Sequence, residues 1–444
     1  MIGLLLCAAF AAHGQWYTGW SRQTGLALSL HLTDSMPVLY SPMQSPDPLV
    51  TSFSSRRGDT LNVECASVGF RMWLVPDGEC LRGVWRQGVL KEDITFCPAD
   101  TLFQLRRPQT PQPPFSFDEE AVEVDYTDSQ GNAVHLSGTL ALPRNTGRRF
   151  PTVVMVSGSG QQNRDEELMF HKPFLVLADY LASRGIASVR YDDRGVGQST
   201  GPLDSADTRL FAEDAEAILS AVMKDKRVDR RQVGLLGHSE GGAIAAMVAA
   251  RNRDVAFVVM MAGAGCAGKD ILLQQNEAIY AAAGVADSLV AVRMACMREA
   301  FDMPPGSSQK DYKALIDRHT VSLDKEQKES IGLGRGAASA LRQQIESRWM
   351  RTFLVLDPAE YLTKLRCPLL ALNGSRDCQV VAAPNLDRIR EVTKHRAQCY
   401  ELQGLNHLFQ HCTTGAPDEY VKIEETMAPE AMAAVAEWVL SLRK

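Results

Sequence analysis

Gly237-His238-Ser239-Glu240-Gly241-Gly242 is the stretch on which the reading of this 444-residue chain turns. It fits the pattern G-x-S-x-G, and its surroundings match what that pattern needs mechanically. The apolar run Val233 to Leu236 precedes it as a strand, and the alanine-rich run Ala243 to Ala250 follows as a helix. A residue wedged between strand and helix on so short a turn is held in strained backbone, and glycines on both sides let chain segments crowd around it. Such a turn lifts a serine hydroxyl above the sheet. It also aims the first N–H groups of the helix at any negative charge that develops beside it. Ser239 is therefore the candidate nucleophile, and the Glu240 backbone N–H a candidate oxyanion donor.

A nucleophilic serine needs a base and an acid, and on such a sheet they follow it in the order serine, carboxylate, histidine. Four histidines follow Ser239: His319, His395, His407 and His411. His319 and His395 lie in charge-rich helical stretches. His407, in Gly404-Leu-Asn-His-Leu-Phe409, sits just past the last expected strand, where a loop can carry its ring back to Ser239. His411 reads as a solvated or capping residue, and a zinc pair with His407 would have no third ligand nearby. Asp377 ends the strand and turn Pro368-Leu-Leu-Ala-Leu-Asn-Gly-Ser-Arg-Asp377. Functional groups collect at that carboxyl end of parallel strands, and a carboxylate there would hold the imidazole in the right tautomer. The second oxyanion donor is expected in Ser157-Gly158-Ser159-Gly160, after an earlier strand, with Ser159 or Gly160 supplying the N–H. Tyr191-Asp192-Asp193-Arg194-Gly195-Val196-Gly197-Gln198-Ser199 reads as a salt-bridged turn organised by Arg194, the alternative reading of the same residues being a substrate-facing loop.

Around these motifs, strand and helix signals alternate. Thr152 to Ser157, Ala187 to Tyr191, Gln232 to Gly237 and Ala256 to Met261 read as strands; Phe174 to Arg184, Leu210 to Lys224 and Ala243 to Ala250 read as helices. The pattern predicts an α/β fold with a mostly parallel sheet, led by a strand pair at Ala121 to Tyr126 and Val134 to Leu142. It stops at Gly263 and resumes at Pro368, so residues from about 265 to 360 are expected to form a helical cap over the site. Gly332-Leu-Gly-Arg-Gly336, inside the cap, follows no strand and reads as a joint, not a dinucleotide fingerprint. Before the α/β domain (119–444), residues 15–106 show short period-two runs that predict a small antiparallel β domain, and 107–118 is a proline-rich stretch expected to be an extended linker.

Residues 1–14 read as an export signal: an apolar run from Ile2 to Phe10, then Ala12-His13-Gly14 as a cleavage site, although no Lys or Arg precedes the run. The rival reading is a buried first element of the fold. Localisation is thus expected to be periplasmic or secreted, with no membrane span. Ten cysteines agree with an oxidising compartment, and no Cys-x-x-Cys pair suggests structural zinc. Cys378, next to Asp377, and Cys412, five residues past His407, are either a bridge between two loops or two free thiols. A formal charge of −6 with no basic stripe argues against nucleic acid as a partner. Nothing calls for a metal or cofactor, and the oligomeric state is left open.

Taken together, Ser157-Gly-Ser-Gly160 with Arg164-Asp-Glu166, Tyr191-Asp-Asp-Arg-Gly-Val-Gly197, Gly237-His-Ser-Glu-Gly-Gly242, Asn373-Gly-Ser-Arg-Asp377 and Asn406-His-Leu-Phe-Gln410 carry a family likeness. From about Ala121 onward the chain resembles bacterial α/β-hydrolases of the EstD-type carboxylesterase family, in the neighbourhood of dienelactone hydrolases and serine aminopeptidases. Ser41-Pro-Met-Gln44 and Gly83-Val-Trp-Arg-Gln-Gly88 are similar to motifs of the small β domain preceding the hydrolase in that family. The resemblance implies Ser239, Asp377 and His407 as nucleophile, acid and base, and does not settle the substrate; the leading expectation is hydrolysis of a small ester through an acyl-enzyme. A serine exopeptidase with the same residues is the nearest rival, and a non-catalytic binding module the rival of another class. The cap lacks a long apolar stripe suited to an acyl tunnel, which points to short acyl chains.

Overall fold

Alternation of apolar and polar side chains governs the first third of the chain. The computed structural model describes residues 14–21, 26–33, 36–41, 48–49, 53–87, 90–144 and 149–442. The export-signal expectation falls, except for Gly14, outside those residues, as do positions 42–44 and 88 of the two N-terminal motifs. Two compact units result, Met1–Arg107 and Pro108–Lys444.

In the first unit the strands are β1 (Gln15–Trp20), β2 (Ala27–Leu32), β3 (Val38–Tyr40), β4 (Pro48–Leu49), β5 (Phe53–Arg57), β6 (Thr60–Cys65), β7 (Phe70–Asp77), β8 (Cys80–Gln87) and β9 (Leu90–Ala99). They form one antiparallel sheet in the order β4-β3-β2-β1-β9-β8-β7-β6-β5. On β7, Phe70, Met72 and Leu74 are buried while Arg71, Trp73 and Val75 face out, so a one-residue slip would expose the whole apolar row. A disulfide joins Cys80 to Cys97 across the neighbouring strands β8 and β9.

The second unit holds β10 (Phe117–Thr127), β11 (Ala133–Pro143), β12 (Phe150–Val156), β13 (Ala187–Tyr191), β14 (Val228–His238), β15 (Val258–Met261), β16 (Leu369–Gly374) and β17 (Gln398–Leu402). Their order is β10-β11-β13-β12-β14-β15-β16-β17; β11 runs antiparallel to both neighbours and the strands from β13 to β17 are mutually parallel. This is an α/β-hydrolase sheet. Helices α1 (Pro173–Ser183), α2 (Thr208–Val222) and α3 (Glu240–Arg251) lie in the crossovers. The central strand β12 is buried along its full length, and its side chains divide by parity between two cores. Val154 and Val156 pack with α2 and α3, whereas Val153 and Met155 pack with α1 and the closing helix Pro429–Ser441. Burying each such side chain stabilises by about 1.5–3 kcal/mol, and coverage on both faces explains why the strand reads as an unbroken apolar run.

Between β15 and β16 lies the cap. It comprises α4 (Gly268–Ala282), α5 (Asp287–Phe301), α6 (Gln309–His319), α7 (Lys325–Ser330), α8 (Ala337–Ile345), α9 (Arg348–Leu354) and α10 (Ala359–Leu362), and α11 (Ala382–Val392) follows β16. Gly332 and Gly336 sit at positive φ in the turn between α7 and α8. The proline-rich stretch is not a free linker. Gln109 accepts hydrogen bonds from the N–H groups of Thr426 and Met427 and donates to the Met427 carbonyl, fastening the stretch to the second unit, and β10 already begins at Phe117. Among the described residues no helix is long and apolar enough to cross a membrane.

Arg194 is fully buried, so its charge must be met inside the protein. Its Nε and Nη2 donate to the two oxygens of Asp214 at 2.8 and 2.9 Å, Nη1 donates to Asp128 at 2.9 Å, and Nη2 also donates to Tyr126 Oη at 2.9 Å. One guanidinium thereby ties the turn after β13 to α2 and to the β10–β11 hairpin. Arg194→Leu is expected to lower stability by about 3–5 kcal/mol, because it leaves buried carboxylates unpaired. Arg194→Lys should lose less. Urea unfolding of the three proteins measures the difference, and a loss below 1 kcal/mol for Arg194→Leu would contradict the account.

Candidate active site

Between β14 and α3 the chain has room for one residue. Ser239 occupies it at φ 54° and ψ −119°, a conformation that costs a non-glycine residue about 1–3 kcal/mol and persists only where the surroundings impose it. They do: a Cβ on Gly237 would stand 1.9 Å from the Gly241 carbonyl oxygen, and one on Gly241 would stand 2.2 Å from that of Val156. The Ser239 N–H donates to Met261 O at 2.9 Å, pinning the turn to β15.

Asp377 lies past the carboxyl end of β16 with its side chain fully buried. Its Oδ1 accepts the N–H groups of Gln379 and Val380, both at 2.8 Å, and its Oδ2 lies 2.8 Å from His407 Nδ1. These contacts leave His407 Nε2 as the ring's free face. The loop after β17 that carries His407 is stiffened by Asn406, whose Oδ1 accepts the N–H groups of Leu408 and Gln410. A Cβ on Gly374 would meet the Leu405 carbonyl oxygen at 2.2 Å, so the Asp377 and His407 loops are packed directly on each other.

Ser239 and His407 line one cavity of about 360 Å³, covered by Ile271, Leu272, Trp349, Met350 and Phe353 of the cap. Of the two donors the sequence left open, Ser159 lines this cavity and Gly160 does not. The Gly158 N–H is already bound to Glu166 Oε1 at 2.7 Å. Glu240, whose N–H opens α3, turns its own side chain into a buried knot. Its carboxylate accepts from Thr208 Oγ1 at 2.5 Å and from Trp349 Nε1 at 3.0 Å, and burial raises its carboxyl pKa. With Arg348 3.3 Å from Asp207, this fastens α9 of the cap to the first turns of α2 and α3.

The 191–199 turn does not line the cavity; it anchors the loop that does. Asp192 pairs with Arg164 at 2.7 Å, and Asp193 accepts from Ser157 Oγ at 2.7 Å and from the Gln162 N–H at 3.0 Å. Burial pushes the Asp193 carboxyl up to about 8. His411 is half exposed and faces Glu425 and Glu430, and His319 faces Glu299. Among the described residues no three His, Cys, Asp or Glu are grouped to hold a metal ion. Two residues that sequence reasoning passed over also line the cavity: His238, seen only as a spacer in the serine motif, and Glu166.

A family profile described as serine aminopeptidase, S33, matches residues 172–411, more than half of the chain. The chain belongs to this family. Within the S33 family fold, the matched span runs from α1 through the cap to the His407 loop. Esterase EstD of Thermotoga maritima is 25% identical over 314 residues, covering 70% of this chain and 64% of that protein, just under two thirds of its length. A hypothetical protein of Pseudomonas aeruginosa is 16% identical with a TM-score of 0.46, covering 77% of this chain and 100% of that one. A Pyrococcus furiosus esterase is 14% identical with a TM-score of 0.44, covering 76% and 98%.

The thiols near Asp377 and His407 are unbridged in this S33 chain. Cys378 Sγ points to the carbonyls of Arg376 and Thr414, Cys412 Sγ to that of Gly404, and burial pushes the Cys378 thiol up to about 11. Peptide mapping under non-reducing conditions, after alkylation in denaturant, should return Cys80 linked to Cys97 with Cys378 and Cys412 both alkylated. A Cys378–Cys412 peptide pair would contradict this arrangement.

Proposed function

We propose that this protein is a serine hydrolase that cleaves esters of small, neutral carboxylic acids. The observation that carries the reading is the shared cavity: Ser239 on its strained turn and His407, held by Asp377 at 2.8 Å, open onto the same space. Ser239 Oγ attacks the ester carbonyl carbon while His407 Nε2 takes its proton. The N–H groups of Glu240 and Ser159 stabilise the oxyanion of the tetrahedral intermediate. The alcohol leaves with the proton from His407, and a water activated by the same ring releases the acid from the acyl-enzyme.

Charge in the cavity supports ester over peptide cleavage. An aminopeptidase needs a free carboxylate to grip the substrate's α-ammonium group. The two glutamates of the lining, Glu166 and Glu240, are both engaged by hydrogen-bond donors of the protein. Among the described lining residues there is no lysine or arginine to hold an anionic substrate either. The volume of about 360 Å³ lies at the small end of ligand sites, in keeping with short acyl groups. The name of the Thermotoga relative points the same way. The Cys80–Cys97 disulfide supports an exported enzyme, since such bonds persist in oxidising compartments.

A fluorophosphonate should label Ser239 alone, and Ser239→Ala should lower kcat on a short p-nitrophenyl ester on the order of 10⁶-fold with the fold intact by circular dichroism. On a panel of acetate, butyrate and long-chain esters and aminoacyl anilides, the short esters should turn over fastest. Labelling at Ser157 or Ser159, or faster anilide cleavage, would refute the assignment.

A further inference from the structure

His238, the residue before Ser239, has an acceptor on each side of its ring. Nδ1 lies 2.9 Å from Glu166 Oε1, and Nε2 lies 3.0 Å from the carbonyl oxygen of His407. A carbonyl oxygen only accepts, so Nε2 must carry a proton. A neutral ring would then turn a bare lone pair toward a carboxylate. Protons on both nitrogens satisfy both contacts. Glu166 Oε1 also accepts from the Gly158 N–H, as an ionised carboxylate does readily. Both side chains are nearly buried, 11% and 7% exposed, so neither charge is met by bulk water.

We propose that Glu166 and a doubly protonated His238 are a positioning pair for the reaction at Ser239, clamping the oxyanion loop to the loop that carries His407. The inference rests on the reading of Ser239 and His407 as nucleophile and base. At one end of the pair Glu166 fixes the Gly158 N–H, next to Ser159. At the other end His238 fixes the carbonyl of His407 itself, and the two rings stand 4.8 Å apart. The backbone shows that this clamp is imposed and not incidental. Glu166 sits at φ 52°, with Met169 and Phe170 also at positive φ, conformations that only a determined surrounding holds. The pair is neutral as a whole, so it holds the two loops in place without adding net charge beside His407, the ring that becomes cationic when it takes the proton of Ser239.

The titratable groups facing His238 are Glu166 from the loop after β12, Asp377 from the loop after β16 and His407 from the loop after β17; its neighbour on β15 is the apolar Met261. Burial disfavours the charged ring, but the Glu166 carboxylate, the hydrogen bond to His407 O and Asp377 outweigh it and raise the ring to about 8. The sign follows: the clamp is complete below that pH and is lost as pH rises through it, one of its two ring hydrogen bonds going with the proton.

The test has a spectroscopic and a kinetic arm, both on the full chain. With ¹⁵N-labelled histidine, the wild-type protein at pH 7 should show His238 protonated on both nitrogens and titrating near 8. In Glu166→Gln the midpoint should fall toward or below the ordinary value of about 6.5. The same variant should lose on the order of 100-fold in kcat at pH 7, the cost of a misplacement of about 1 Å, with KM little changed. Its fluorophosphonate labelling of Ser239 should be slower but complete. The wild-type kcat/KM profile should decline on the alkaline side near 8, and in the variant this limb should move to lower pH. A wild-type His238 with a single ring proton at pH 7, or identical pH profiles in the two proteins, would overturn the proposal. Failure of the wild-type protein to turn over esters or label at Ser239 would overturn the reading beneath it, even with a cationic His238 in the spectra.

Discussion

Crowding where β14 meets α3 is the constraint from which the rest of the hydrolase unit follows. The strand arrives beside β12, and α3 must start at once and fold back across the Val156 carbonyl, so Gly241 stands where no side chain fits. The one residue left between strand and helix takes a conformation that would relax in isolation. It is held because its N–H is bonded to β15 and both faces of the sheet are covered by packed helices. The strain at Ser239 is thus balanced by the two cores on either side of β12. The same arrangement leaves Ser239 and Glu240, at the start of α3, in the lining of the cavity.

Charge is handled differently in the frame and at the site. In the frame, Arg194 is buried with two aspartates and a tyrosine, and the partly exposed Arg164 pairs with buried Asp192, so charges lock turns together without reaching the cavity. At the cavity, every described carboxylate of the lining is already bonded: Glu240 to the cap and to α2, Glu166 to Gly158 and His238. The lining therefore holds no carboxylate left free to pair with a charged ligand. That is the physical basis for reading it as a site for neutral esters.

Glu240 also couples recognition to architecture. Glu240 lines the cavity at the start of α3 while its side chain holds Trp349, which with its stacked partner Phe353 forms part of the cavity roof. A change in the cap that displaced Trp349 would therefore reach the first turn of α3 through a single side chain. The proline-rich stretch shows the same economy of contacts: one glutamine, Gln109, makes three hydrogen bonds to the segment before the closing helix and turns an expected tether into part of the unit.

The sequence by itself determined what short-range sterics and periodicity encode. Glycines around Ser239 announce the turn, β-branched runs such as Thr152 to Val156 announce buried strands, and the break in alternation after Gly263 announces the cap. The pairing of Asp377 with His407 is legible too, because chain order and position at strand ends narrow the choice before the ring and the carboxylate are seen to meet at 2.8 Å. Only the tertiary structure decided that Ser159 lines the cavity while Gly160 does not, that Cys378 and Cys412 stay unbridged, and that His238 has two acceptors. The reason is distance along the chain. Glu166 and His238 are separated by 72 residues and His238 and His407 by 169, and no periodicity or local motif relates them. A hydrogen bond reaches about 3 Å, so its partner is chosen only when the strands that carry both ends have taken their places in the sheet.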